Sequence, residues 1–276
     1  MELSLGFSTC PNDTFIFDAM IHQKIDTEGL RFNVLMADVE ELNRNAFIGS
    51  VDITKLSYHA YAFITENYKL LTSGSALGHK NGPLVISKYK IYPDEVPDLK
   101  VAIPGKFTTA NLLFSIAFPA VKEKKEYLFS EIEEAVLDGE MDAGVIIHEN
   151  RFTYKQKGLN KILDLGEYWE EKTKHPIPLG GIVIRRNLEE KVQQKVNRVL
   201  KRSVEFALKN PNSGYTFIKQ HAMELDDDVI FKHINLYVNN YTVDLGDEGK
   251  NAIVKLYEEA TRAGIIESMV KDIFVL

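Results

Sequence analysis

The sequence of 276 residues predicts an α/β fold of two lobes with a ligand cleft between them. Three observations lead to that prediction. Strand-like and helix-like segments alternate through the first two thirds of the chain, as sheets with crossover helices require. A short internal similarity relates the first such run to the second. A strongly apolar strand at residues 180–184 then returns the chain to the first run, which it left near Ser87.

The elements follow in order. Residues 3–8 alternate apolar and polar side chains and meet the turn-forming Cys10-Pro11-Asn12-Asp13, so they read as a strand. Residues 14–23 read as a helix, 31–39 as a strand, 40–48 as a helix and 51–56 as a short strand. An aromatic helix is expected over 58–67. Strands at 69–77 and 83–87 flank a turn at 78–82, and 89–98, with Pro93 and Pro97, reads as a linker. The second run begins with a strand at 100–103, a helix at 109–118 and a strand at 126–129. Ser130 and Glu133 have capping-box spacing and open a helix to Leu137. A strand at 142–147 and a helix at 149–156 complete it. Beyond the return strand the chain reads as helical, over 188–209, 215–221, 227–238 and 247–264.

The internal similarity pairs Gly49-Ser50-Val51-Asp52-Ile53, leading to Ser57, with Gly139-Glu140-Met141-Asp142-Ala143, leading to His148. It also pairs the turn 8–13 with the turn 104–109. Each half therefore offers two polar strand-to-helix turns. Ligands of open α/β sheets sit beyond such strand ends, where helix N-termini present free N–H groups and partial positive charge. The division expected is a discontinuous first lobe, residues 1–98 with 180–276, and an inserted second lobe, 99–179. This is the arrangement of type II periplasmic-binding-protein-like folds.

Composition narrows the function. The chain is 45% hydrophobic, enough for a large core, and its net charge of −7 with no Lys/Arg block argues against nucleic acid. No stretch approaches the roughly 20 apolar residues of a membrane helix. Residues 1–7 lack the basic and apolar features of a signal peptide, and the single Cys10 fits a reducing compartment, so a cytoplasmic location is expected. The seven histidines are scattered, without HExxH or CxxC, so no metal and no cofactor are expected. The expected partner is a small anionic metabolite.

Individual residues carry the chemistry. Thr9, Asn12 and Asp13 are candidates to line the cleft, although Asn12 or Asp13 also reads as a plain helix cap. Cys10 has no evident base beside it and reads as packed and inert. Thr108 and Thr109 open an apolar helix, both as cap and as part of an anion pocket. Lys55 and Lys106 sit at the turns as weaker candidates for a carboxylate partner. His148 ends an apolar strand at the cleft mouth and is the leading candidate for a base, since neutral imidazole takes protons at cellular pH. His59 is second. His22, His175, His221 and His233 read as structural or surface residues.

These strings converge on a family. Ser8-Thr9-Cys10-Pro11-Asn12-Asp13-Thr14-Phe15, Lys55-Leu56-Ser57, Gly82-Pro83-Leu84-Val85, residues 103–111 from Ile103-Pro104-Gly105 to Asn111, and Asp142-Ala143-Gly144-Val145-Ile146-Ile147-His148-Glu149 resemble the 1,4-dihydroxy-6-naphthoate synthases. The similarity spans both lobes to about Arg186. It implies a lyase of the futalosine route to menaquinone that converts cyclic dehypoxanthine futalosine to 1,4-dihydroxy-6-naphthoate. By similarity His148 is the catalytic base, and Lys55, Leu56, Ser57, Thr108 and Thr109 contact substrate. The turn Gly78-His79-Lys80-Asn81-Gly82 departs from the family's small-residue turn by being bulkier. Two rival readings stand beside this one: a chorismate dehydratase-like enzyme of the same pathway, and a non-catalytic ligand-binding protein.

Overall fold

The structure is a computed structural model that describes residues 1–222, 226–267 and 272–275. Its first sheet grows from β1 (Glu2–Phe7), which pairs in parallel with β2 (Arg31–Met36) and β3 (Ile53–Ser57). The crossovers are α1 (Pro11–Ile21) and α2 (Val39–Phe47). The return strand β11 (Ile177–Arg185) runs antiparallel to β3 and carries β4 (Tyr68–Leu70) and β5 (Ala76–Gly78) on its other edge.

The second sheet has the order β10-β6-β9-β7-β8. Its strands are β6 (Leu84–Ser87), β7 (Lys100–Ile103), β8 (Glu123–Glu126), β9 (Ala143–Ile146) and β10 (Asn160–Asp164). Strand β7 is parallel to β8 and β9, while β6 is antiparallel to β9 and β10. Residues up to 98 were expected in the first lobe, yet β6 is hydrogen-bonded into the second sheet. The chain therefore crosses between sheets ahead of Leu84 and returns ahead of Ile177.

Four local expectations are corrected. The strand expected at 69–77 is two short strands, because the backbone N–H groups of Thr72 and Ser73 between them donate to Asn197 Oδ1 at 3.0 and 3.3 Å. The strand expected at 126–129 lies at Glu123–Glu126, an exposed edge with no apolar face to betray it. The Ser130–Glu133 capping box does not form; α5 spans Ile132–Leu137 with no side-chain cap, and buried Glu133 instead accepts from Asn150 and Lys157. The aromatic helix is only α3 (Tyr58–Tyr61), four residues long. Strand β10 and helix α7 (Leu165–Thr173) were not foreseen, although Asp164 caps α7 through the N–H groups of Gly166 and Glu167 at 2.8 and 3.2 Å.

The two sheets share a core. Leu56, Tyr61, Phe114, Trp169 and Leu256 belong to one buried cluster that runs from the first sheet to the second. Helix α12 (Gly246–Arg262) packs on both β11 and α4 (Thr109–Ala117). Each such side chain contributes about 1.5–3 kcal/mol on burial. On the other face, Phe7, Phe17, Ile182, Val199 and Ile234 bury α1, α8 (Glu190–Lys209) and α10 (Asp227–Tyr237). Among the described residues no helix is long and apolar enough to cross a membrane.

The first crossing depends on a close backbone approach. A Cβ built on Gly82 would fall deep inside the contact distance of the Gly166 backbone at the start of α7. Gly82→Ala should therefore lower stability by about 1–3 kcal/mol, the usual cost of overpacking, read as an earlier denaturant midpoint. An unchanged midpoint would show that this approach is not tight in solution.

Candidate active site

All four strand-to-helix turns open on one cavity of about 680 Å³, part of which is open to solvent. Ser8, Asn12 and Asp13 line it from the first turn, Ser57 from the second, Thr108 and Thr109 from the third and His148 from the fourth. Lys55, Leu56, Asn81 and Tyr237 also line it, among mostly apolar neighbours such as Val39, Pro83 and Leu179.

The floor is organised by Asp13, which is 1% exposed. Its carboxylate accepts from Ser8 N at 3.1 Å, Ser8 Oγ at 2.7 Å, Asn12 Nδ2 at 2.8 Å and Lys55 Nζ at 2.8 Å. Asp13 lies in the first turn of α1, where the helix dipole also favours a negative charge. Cys10 is the cap position of that helix and makes no side-chain cap bond, with Pro11 next; neither Asn12 nor Asp13 serves as the cap. Thr9 is half-exposed and lies outside the cavity lining. In an extended turn its side chain falls on the face opposite to Ser8 and Cys10.

The second and third turns meet across the sheets. Ser57 N donates to Asn43 Oδ1 at 2.9 Å, and Asn43 Nδ2 donates to Glu40 Oε2 at 3.0 Å. Glu40 in turn accepts from Phe107 N at 3.2 Å. Burial pushes its carboxyl above the usual range. Thr108 caps α4, accepting from Asn111 N at 3.2 Å while its hydroxyl donates to Gly105 O at 2.8 Å. Thr109 donates to Leu179 O at 2.6 Å, a bond from α4 to β11. The hydroxyl protons of both threonines are thus committed within the protein. The donors left at this helix start are first-turn backbone N–H groups, which have no intrahelical acceptor.

His148 occupies the left-handed region, at φ 57°, an uncommon conformation for a residue with a side chain. It follows β9 and turns its ring toward the first sheet. Cys10 Sγ lies 3.5 Å from Nδ1 and 3.8 Å from Nε2. A base therefore does stand beside Cys10, but burial and the Glu149 carboxylate push the thiol well up, so it stays protonated. Burial also pulls His148 below its ordinary value of 6.5, which leaves a neutral imidazole.

Behind His148 lies a residue read from the sequence as structural or surface. His233 is fully buried, with its ring 6.0 Å from that of His148. It sits 2.9 Å from Asn12 Oδ1 and 3.8 Å from Glu149 Oε2. Burial holds it well below 6.5. His233 and Tyr237 are one helical turn apart on α10, so both face the site. Burial lifts the Tyr237 phenol to about 12. His233 is thus structural, as read from the sequence, while Tyr237 and Asn81, which line the cavity, were missed because α10 and the crossing turn carry no local motif.

The remaining candidates lie elsewhere. His59 is buried under Thr108, its Nδ1 3.2 Å from the carbonyl oxygen, and burial lowers it to about 4. It does not line the cavity. Lys106 is exposed and extends over Phe107. Among the described residues no group of His, Cys, Asp and Glu has the arrangement of a metal site.

Two buried histidines, His59 and His233, and the half-buried His148, all held neutral, make stability depend on acid. On unfolding each regains a pKa near 6.5 and takes up a proton that the folded state resists. Stability should therefore fall as pH drops through about 6.5 and continue falling to about 4, where folded His59 also protonates. Denaturant midpoints measured from pH 7.5 to 4.5 should show this slope, and His59→Asn should flatten it. Superimposable slopes for the two proteins would remove His59 from the account.

Known proteins share this chain's length and architecture. The profile of a family described as menaquinone biosynthesis matches residues 3–262. The chain is 42% identical over 276 residues to a 1,4-dihydroxy-6-naphthoate synthase of Thermus thermophilus, with 99% of each chain covered. It is 38% identical over 278 residues to one of Streptomyces coelicolor, covering 98% of this chain and 96% of that one. A solved protein of Archaeoglobus fulgidus superposes with a TM-score of 0.91 at 37% identity, covering 96% of this chain and 98% of that one. The alkanesulfonate-binding protein of Xanthomonas axonopodis pv. citri superposes at 0.73 with 12% identity, covering 98% and 96%. That likeness shows the periplasmic-binding-protein fold expected from the alternation of elements. On the profile match and the two full-length relatives, the chain belongs to the menaquinone biosynthesis family.

Proposed function

We propose that this chain is a 1,4-dihydroxy-6-naphthoate synthase and that His148 is its general base. The observation that carries the reading is convergence. Residues from four separated turns, on two sheets, line one cavity that contains a single neutral imidazole at its surface. Relatives matched over their whole length bear that activity in their names.

The chemistry suits the site. The substrate, cyclic dehypoxanthine futalosine, carries a carboxylate and a bicyclic core one step from aromaticity. Proton removal by His148 opens the sugar-derived ring, carbon–carbon cleavage follows, and aromatisation drives the reaction forward. Such a reaction needs one base, donors for developing oxyanions and exclusion of bulk water. The ammonium of Lys55, the hydroxyl of Ser57 and the start of α4 are among the donors that face the cavity. Thr108 and Thr109 act by shaping that helix start, and Leu56 by packing. Asn12 and Asp13 hold Lys55 and His233 in place. The two sheets act as lobes around the ligand, with the crossing turns at their junction.

Incubation with cyclic dehypoxanthine futalosine should yield the naphthoate, and chorismate should be left unchanged. Substrate recovered intact would overturn the reading in favour of a binding protein. His148→Asn should keep the fold and most ligand affinity while turnover falls by about 10²–10⁴-fold. In the wild type, kcat/KM should rise with pH through an apparent pKa below 6.5, the direction in which burial moves this imidazole. Turnover of a folded His148→Asn within a few-fold of wild type would place the base elsewhere.

A further inference from the structure

We propose that Asn81 is a ligand-binding residue that receives a hydroxyl group of the ligand, and so selects hydroxylated aromatic carboxylates over bare ones. The inference rests on the naphthoate synthase reading and extends it. Asn81 is fully buried and lines the cavity, yet no protein group bonds its Nδ2 or its Oδ1. An orphaned buried amide costs stability, and a fold keeps one where something else satisfies it.

The turn around Asn81 is built to hold it. Gly78 leaves the room: a Cβ there would lie 2.9 Å from Asn81 Nδ2. Glu170 of α7 clamps the next two residues, 3.0 Å from His79 Nδ1 and accepting from Lys80 N at 2.6 Å. Lys80 adopts a left-handed φ of 56°. Gly82 packs on Gly166, and its carbonyl accepts from Arg151. The same turn carries the chain between the sheets, so the amide is fixed relative to both walls.

The chemistry of the partner follows from the amide. A carboxamide presents one acceptor and two donor hydrogens. A carboxylate can only accept and would leave Oδ1 unpaired. A hydroxyl both donates and accepts, and matches the two orphaned atoms. The anionic end of the ligand then belongs at the other donors, Lys55, Ser57 and the start of α4, and the hydroxylated end at Asn81.

Calorimetric titration of wild type, Asn81→Ala and Asn81→Leu with two ligands tests this. The ligands are 1,4-dihydroxy-6-naphthoate and 2-naphthoate, which has the same ring and carboxylate without hydroxyls. Wild type should prefer the dihydroxy compound by about ten-fold. Both variants should lose that preference while binding 2-naphthoate as wild type does. Their thermal midpoints should hold or rise, because neither deletion strands a partner. Affinity lost equally for both ligands with a lowered midpoint, or retained for both, overturns the role of Asn81. A wild type that does not bind 1,4-dihydroxy-6-naphthoate overturns the functional reading beneath it.

Discussion

The buried carboxylate of Asp13 is the interaction on which the cleft depends. It gathers the end of β1, the start of α1 and the middle of β3 onto one pair of oxygens. Removing one member of a buried, hydrogen-bonded ion pair typically costs about 3–5 kcal/mol, because the other charge is left in a dry site. Lys55 can therefore stand inside the cavity as a charge only because Asp13 stands beneath it. Asn12 extends the same network to His233, and His233 lies behind the ring of His148. The network from this single acidic residue thereby ties together the end of β1, α1, β3 and α10, and ends behind the His148 ring.

Coupling between the sheets has a second, apolar source. The shared core through Phe114, Trp169 and Leu256 clamps the walls together, and Glu259 of α12 pairs with Lys172 of α7 at 3.5 Å. Polar ties sit at the cavity rim: Glu40 to Phe107, and Thr109 to Leu179. A cleft framed this way is largely preformed. Its low-dielectric walls strengthen each donor it presents and keep its histidines neutral. The strained backbone of His148 fits the same picture, because the surrounding packing holds one residue in an uncommon conformation where its ring is needed.

Proton placement separates the roles of the buried groups. Cys10 touches His148, but its thiol is held protonated by burial and by the Glu149 carboxylate, so it serves as a neighbour rather than a nucleophile. His59 is a second imidazole close to the cleft, yet its bond to Thr108 O and its burial make it part of the wall. Of the histidines, His148 alone lines the cavity.

The sequence by itself determined the α/β alternation and the four polar turns, and it offered Lys55, Thr108, Thr109 and His148 as candidates at those turns; Leu56 and Ser57 entered as substrate contacts only through the family resemblance. The alternation and the turns are written locally, in a hydrophobic period of two or 3.6 residues or in a turn and cap string, and local patterns survive without the fold. Strand β8 escaped because an exposed edge strand need show no apolar face. The place of β6 in the second sheet, the burial of His233 against Asn12 and the orphaned amide of Asn81 were decided only by the tertiary structure. These depend on contacts between residues far apart in the chain, 221 positions for His233 and Asn12. Such pairings are set by how the sheets and helices pack, and no stretch of sequence carries them alone.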